Sequence, residues 1–239
     1  MGGDACVFCY EPRGLIRTGC ACRGECAVVH AKCLVRAVVA SELQEAWIRC
    51  RLCKQEFTGV ASCALARARA RTIASGPDAF YADVHAIDAM CEAQKPKRAE
   101  TLARALLTRT VEQFGTESDA TALVELRVAI ALMQQENYAE AERLATLVLR
   151  NAALYAQTTT ILARIMHITQ RYPEAEQYWR LVHEQDPSAA IITRVLMYET
   201  LAASKKLRPS DLDEAVRDAR RVFGADHAVT RKATSLQGN

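Results

Sequence analysis

The sequence predicts a mainly α chain: a small cross-braced module built on two metal ions, followed by an α-α superhelix of paired helices. Three observations carry this. Nine of the ten Cys lie within residues 1–63, and only Cys91 lies beyond. Aromatic residues make up 6% of the chain while Ala crowds the stretch after residue 60, a composition suited to close-packed helices rather than sheets. A Tyr-centred motif recurs at a spacing of 34 residues, from Tyr138 to Tyr172. The expected division is 1–60 for the metal module, 61–77 for a linker or connecting helix, and 78–236 for the helical repeats.

The metal module rests on eight ligands in fixed order: Cys6, Cys9, Cys20, Cys22, His30, Cys33, Cys50 and Cys53. Two C-x-x-C pairs and one H-x-x-C pair point to metal, because two intervening residues let a tight knuckle aim both ligands at one ion. Eight ligands make two closed four-coordinate sites, so two zinc ions per chain are expected, in a structural role. In the interleaved arrangement Cys6, Cys9, His30 and Cys33 share the first zinc. Cys20, Cys22, Cys50 and Cys53 share the second. Crossing sites staple a domain too small to bury enough surface alone. Cys26 is a ninth candidate; a register that uses Cys22 and Cys26 is the alternative.

Around the ligands, Glu11 to Leu15 reads as a turn, and Gly24 suits a second knuckle. Leu34 to Glu45 reads as a helix, with Leu34, Val35, Val38, Val39 and Leu43 near helical spacing. Phe57 closes the module and Gly59 ends it. Arg67, Arg69 and Arg71 alternate with Ala in the connecting segment, a solvated helix or a phosphate or acidic-lipid contact. Ser75-Gly76-Pro77-Asp78 marks a break, with Asp78 as the candidate cap of the next helix.

In the repeat region, Asn137-Tyr138-Ala139-Glu140-Ala141-Glu142 recurs as Arg171-Tyr172-Pro173-Glu174-Ala175-Glu176. Each copy opens the second helix of a pair, with Tyr at the turn and small Ala141 or Ala175 at a close helix contact. Weaker copies place Ala99 and Ala215 at the same position. Phe114-Gly115 and Phe223-Gly224 are a second echo, in which Gly ends one helix before an acidic or hydroxyl residue starts the next. About four helix pairs result.

The net charge of +3 is too small to argue for nucleic acid. There is no apolar leader ahead of Cys6 and no apolar run long enough to span a membrane. A reducing compartment, the cytoplasm or the nucleus, is expected. Phosphate-loop, dinucleotide, metalloprotease and serine-hydrolase motifs are absent from the sequence. His85, His167, His183 and His227 are scattered and read as surface or interface residues. No catalytic residue is assigned.

The pattern of four Cys, one His and three Cys, with a one-residue third gap and His30-Ala31-Lys32-Cys33-Leu34, resembles the RING-CH variant of RING fingers. PHD fingers share the ligand order but usually have fewer residues between the fourth Cys and the His than the seven here. The resemblance implies a ubiquitin ligase module. Its partners would be a ubiquitin-conjugating enzyme and ubiquitin, and its docking residues Phe8, Leu52 and Lys54. Ala37 falls where RING-CH domains often carry Trp, and Leu52 replaces a Pro common in other RINGs. The later repeats resemble degenerate tetratricopeptide repeats of the kinesin-light-chain type, implying a protein or peptide ligand. The alternative function is a non-enzymatic adaptor or PHD-like peptide reader.

Overall fold

The computed structural model describes residues 5–22, 27–73, 77–185, 191–203, 209–225 and 228–237. Gly24, Cys26, Ser75, Gly76 and His227 lie outside them, as does the His183 side chain. The chain divides into two compact units, Met1–Thr116 with Ile130–Gln135, and Glu117–Ala129 with Glu136–Asn239.

The first unit opens with a two-stranded antiparallel ribbon, β1 (Ile16–Arg17) and β2 (Val28–Val29), in which Ile16 faces Val29 and Arg17 faces Val28. Helix α1 (Ala31–Ser41) follows at once. It starts three residues before the expected Leu34, with His30 as its extended N-cap residue, so Cys33 lies in its first turn. It also stops short of the expected Glu45. The Ser41 hydroxyl donates to the Val38 carbonyl at 2.7 Å, and Glu42 takes a left-handed φ of 55°. A 3-10 turn over Gln44–Trp47 then leads back to the last ligand pair.

Helix α2 (Gly59–Thr72) begins at the Gly expected to end the module. Its Ala61 and Leu65 are buried in one apolar cluster with Val29, Leu34, Val38, Ala46 and Phe57. It also packs against α3 (Pro77–Glu92), which in turn packs on α4 (Pro96–Phe114). Asp78 is not the cap of α3. Pro77 occupies the first helical position, where its missing N–H costs nothing, and Asp78 sits in the first turn with its charge toward the positive end of the helix.

The remaining helices are α5 (Asp119–Met133), α6 (Tyr138–Val148), α7 (Tyr155–Ile168), α8 (Tyr172–Gln185), α9 (Ile191–Ala203), α10 (Pro209–Phe223) and α11 (Ala228–Gln237). The Tyr138 and Tyr172 motifs open α6 and α8, the second helices of their pairs. Ala99, Ala141, Ala175 and Ala215 are all fully buried, at the close contacts their size allows. Gly115 and Gly224 end α4 and α10 with left-handed φ of 83° and 84°. Ser118 caps α5, its hydroxyl accepting from the Thr121 N–H at 3.2 Å.

Other repeat turns use no glycine. Gln94, Glu136 and Gln170 take the left-handed conformation, with φ of 55°, 64° and 62°. After them the N–H of Lys95 reaches the Met90 carbonyl at 2.9 Å, and that of Arg171 reaches Met166 at 2.8 Å, the long bond of a Schellman cap. The Glu after the small Ala ties consecutive pairs together. Glu142 accepts two bonds from Arg171 Nη1 at 2.9 and 2.8 Å, and Glu100 accepts from Gln135 Nε2 at 2.7 Å. The chain is therefore mainly α, with tetratricopeptide-like helix pairs behind a Cys-rich module.

Candidate metal centres

The first two candidate ligands and the last two are held by the same backbone device. In Cys6-Val7-Phe8-Cys9-Tyr10, the Tyr10 N–H donates to the Cys6 carbonyl at 2.8 Å and the Cys6 N–H to Glu11 at 3.1 Å. In Cys50-Arg51-Leu52-Cys53-Lys54, the Lys54 N–H donates to Cys50 at 2.9 Å and the Cys50 N–H to Gln55 at 2.8 Å. Tyr10 and Lys54 both take left-handed φ, 61° and 60°. Each loop thereby turns two sulfurs to one side and lifts the residue before the second Cys, Phe8 or Leu52, away from them.

The sulfurs and the imidazole gather in two groups. Cys6, Cys9, His30 and Cys33 form one and Cys20, Cys22, Cys50 and Cys53 the other; within each, the ligand atoms lie within 4.8 Å of one another. Each group could hold a metal ion. These are the groups that the interleaved order implied. All described cysteines are free thiols.

The donor chemistry fits zinc. His30 Nδ1 faces the sulfurs, 3.2 Å from Cys9 Sγ and 3.7 Å from Cys33 Sγ. Its Nε2 bonds to the Arg13 carbonyl, which can only accept, so Nε2 carries the proton and Nδ1 offers its lone pair. In the second group Cys22 Sγ and Cys50 Sγ are 3.6 Å apart. That is close to the ~3.8 Å edge of a tetrahedron with zinc–sulfur bonds of about 2.3 Å.

The thiols are also prepared unequally for ionisation. Burial pushes Cys6 up, but the backbone N–H groups of His30, Phe8 and Cys9 outweigh it and bring the thiol down to about 6. The His30 N–H lies 3.4 Å from Cys6 Sγ. The Gln55 N–H brings Cys53 down to about 6 against burial. Cys33 is pushed up to about 11 by burial and by the Cys9 and Cys6 thiols, and Cys22 is raised by burial and by Cys50, Cys53 and Cys20. Packed sulfurs cannot all ionise beside one another, and a bound divalent cation removes that conflict.

The neighbours of the ligands include residues the sequence reading passed over. Thr18 is buried, and its hydroxyl lies 3.3 Å from Cys20 Sγ and donates to the Ala27 carbonyl at 3.4 Å. Gly19, at a left-handed φ of 70°, precedes Cys20 and touches Thr58. The Thr-Gly pair before a ligand was the available signal; the role of the Arg13 carbonyl left none.

The expected docking residues are exposed. Phe8 keeps 48% of its surface and Leu52 72%, and both line one apolar groove of about 390 Å³ with Leu34, Ala37 and Val38. Ala37 is half-buried in that groove, and its methyl leaves open the space a larger side chain would take. Lys54 is exposed beside the last ligand.

Of the scattered histidines, His85 and His167 have described side chains. His167 Nδ1 bonds the Thr200 hydroxyl at 2.9 Å, and Trp179 Nε1 donates to the same oxygen at 3.1 Å. No described helix is long and apolar enough to cross a membrane.

One solved structure agrees with the fold. A crystal structure of "nearly identical TPR-like repeats" from a Podosopora anserina protein of the kinesin light chain type aligns with a TM-score of 0.56 at 12% identity. The match covers 69% of this chain and 86% of that one. A second structure of those repeats aligns over 87% of this chain and 93% of its own, with a TM-score of 0.46 and 12% identity. No protein-family model matches the chain, and no curated protein is similar to it in sequence. The fold and site thus define a tetratricopeptide-like helical repeat scaffold with a Cys-rich module at its N-terminal end.

Proposed function

We propose that the N-terminal module binds two zinc ions, one on Cys6, Cys9, His30 and Cys33 and one on Cys20, Cys22, Cys50 and Cys53, and acts as a RING-CH-type ubiquitin ligase module. Both ligand sets are complete at four, so the zinc holds the fold and leaves no position for a reacting water. The module makes and breaks no bond. It would orient a conjugating enzyme so that its ubiquitin thioester meets a substrate lysine, which is catalysis by positioning. The observation that carries this reading is that Phe8 and Leu52, one from each knuckle, are both exposed and both line a single apolar groove. Lys54 follows the last candidate ligand and is exposed, and in this reading it would meet ubiquitin or the enzyme. The helical repeats would recruit the protein substrate.

The test is ubiquitin transfer by the zinc-loaded full chain with a panel of conjugating enzymes. Ubiquitin chains should form with at least one enzyme, and Leu52→Ala should reduce them by about tenfold or more, the size of one buried apolar hot spot. Absence of chains with every enzyme, on protein that retains its zinc, would sink the proposal. Ala37 favours a second reading, a non-enzymatic adaptor or peptide reader, because its small side chain leaves the groove open to a guest residue. Binding of histone-tail peptides without any conjugating-enzyme binding supports that reading.

A further inference from the structure

A second groove, of about 420 Å³, lies between α2, α3 and α4 in the first unit. Its floor includes Ala86, Met90 and Leu102, and Arg67, Arg71 and Arg98 line it from α2 and α4. Arg67 and Arg71 are one turn apart, so both occupy one face of α2. Helix α2 contains no acidic residue. Among the described residues none of the three arginines is ion-paired, whereas the one acidic lining residue, Asp83, is held by Arg109 at 2.7 Å. The groove is thus an apolar trough with three uncompensated guanidinium groups around it.

We propose that this groove captures an acidic peptide segment of a partner protein. An apolar side chain of the segment sits on Met90 and Leu102, and its carboxylates pair with Arg67, Arg71 and Arg98. Guanidinium forks match carboxylates in two parallel bonds, and the apolar floor lowers the local dielectric in which they act. Nucleic acid fits less well. No aromatic ring lines the groove for a base to stack on, and the net charge of the chain is only +3. The inference rests on the partner-binding reading of the helical repeats and not on the ligase reading.

The experiment is selection of a random-peptide phage library on the zinc-loaded full chain, beside a variant carrying Arg67→Ser, Arg71→Ser and Arg98→Ser. Enriched peptides should be acidic with an apolar residue among the carboxylates, and the variant should bind them at least about tenfold more weakly. Their affinity should fall with added salt. Unchanged melting of the variant excludes misfolding, and a charge-swapped pair provides a second check: Arg67→Glu with Arg71→Glu should lose the acidic peptides and take up versions with Lys in place of Glu. Enrichment without acidic character overturns the proposal, as does equal capture by the triple variant, though equal capture leaves the partner-binding reading of the repeats standing. A uridine oligonucleotide that displaces the selected peptides at lower concentration than the free peptides do makes the groove a nucleic-acid surface and also overturns it.

Discussion

The Thr58 hydroxyl donates to the Gly19 carbonyl at 3.0 Å, and the Thr58 N–H reaches the Thr18 carbonyl at 3.4 Å. These bonds join the segment before Cys20 to the N-cap residue of α2. The approach is close enough that a methyl on Gly19 would lie 2.1 Å from Thr58 Oγ1 and 2.9 Å from the Thr58 carbonyl oxygen. Gly19 also has a left-handed φ of 70°. Overpacking and strain act together, so Gly19→Ala should destabilise the first unit by about 3 kcal/mol or more. Thr58→Ala removes one hydrogen bond and should cost about 1 kcal/mol. Urea denaturation with zinc retention as a second readout checks both; equal, small effects would mean the contact is not tight.

Zinc removal should reach further than the ligand loops. Ala61 and Leu65 of α2 are fully buried in the cluster with Val29, Leu34 and Val38, while Cys63 and Ala66 on the same helix are buried too. A helix gripped by the module loses that face when the module opens, and α3 loses its neighbour next. Chelation should therefore remove more helical signal than α1 alone supplies, with amide protection falling in α2 and persisting in α7 and α8. Hydrogen exchange with and without chelator measures this. Full protection of α2 in the metal-free chain would overturn it.

How far the sequence revealed this structure depended on how local each signal was. Ligand spacing is local, and so are the small Ala positions and the Phe-Gly helix ends; all could be read directly. The start of α1 was missed because small Ala31 and charged Lys32 add nothing to the apolar periodicity, and the Leu34 N–H bond to the His30 carbonyl at 2.9 Å is what marks the helix start. Turn glycines failed as a guide at Gln94, Glu136 and Gln170, ordinary residues in the left-handed state, with Schellman bonds closing the turns at Gln94 and Gln170. The Thr200 junction joins α7, α8 and α9, separations of 33 and 21 residues that no periodicity encodes. The groove beside Ala37 is likewise a consequence of a side chain that is small, visible only once its surroundings are in place.

The two knuckles make a backbone test possible. Tyr10 is 81% exposed, so its ring contributes little packing to offset the strain of a left-handed φ of 61°. Glycine relieves that strain while giving unfolded chains more freedom, and the first effect is larger at such positions. Tyr10→Gly should leave the module as stable or more stable by up to about 1 kcal/mol. Tyr10→Val should destabilise it, since a β-branched residue resists this conformation most. Zinc-loaded denaturation midpoints decide the order. Glycine less stable than valine would contradict it.

Ala37→Trp tests the groove by filling it. An indole fits within about 390 Å³, so the substitution should not force the core apart. Melting should stay within a few degrees of the parent, and the apolar surface offered beside Phe8 and Leu52 should grow. If the groove receives a conjugating enzyme, binding should tighten by about tenfold, the worth of one well-packed aromatic anchor. If it receives a guest side chain, the same substitution should abolish binding. Titration of both classes of partner against the parent and the variant separates the outcomes, and a large drop in melting temperature would show that the groove does not accommodate an indole.

His167 supplies a pH dependence in the second unit. Burial lowers its pKa below the usual 6.5; Glu199 pulls the other way and Lys232 adds to the depression. Glu199 and Lys232 are paired with each other at 2.8 Å, so their opposed effects largely offset and burial dominates. The ring also meets the edge of Tyr172 at 5.7 Å and bonds Thr200, which accepts from Trp179. Because Trp179 and His167 both use the Thr200 oxygen while its proton goes to the Leu196 carbonyl at 3.2 Å, His167 enters this junction as a donor from Nδ1. Protonation adds a proton at Nε2 and a charge in a half-buried place. With the folded pKa lowered, the unfolded chain binds more protons as pH falls below about 6.5. The stability contribution is therefore complete above that value and is lost as pH drops toward the folded pKa. Denaturation of the second unit between pH 7.5 and pH 5 should show falling stability in the parent and a flatter profile in His167→Gln, which keeps a donor but cannot take a proton. Parallel profiles would mean that another group sets the dependence.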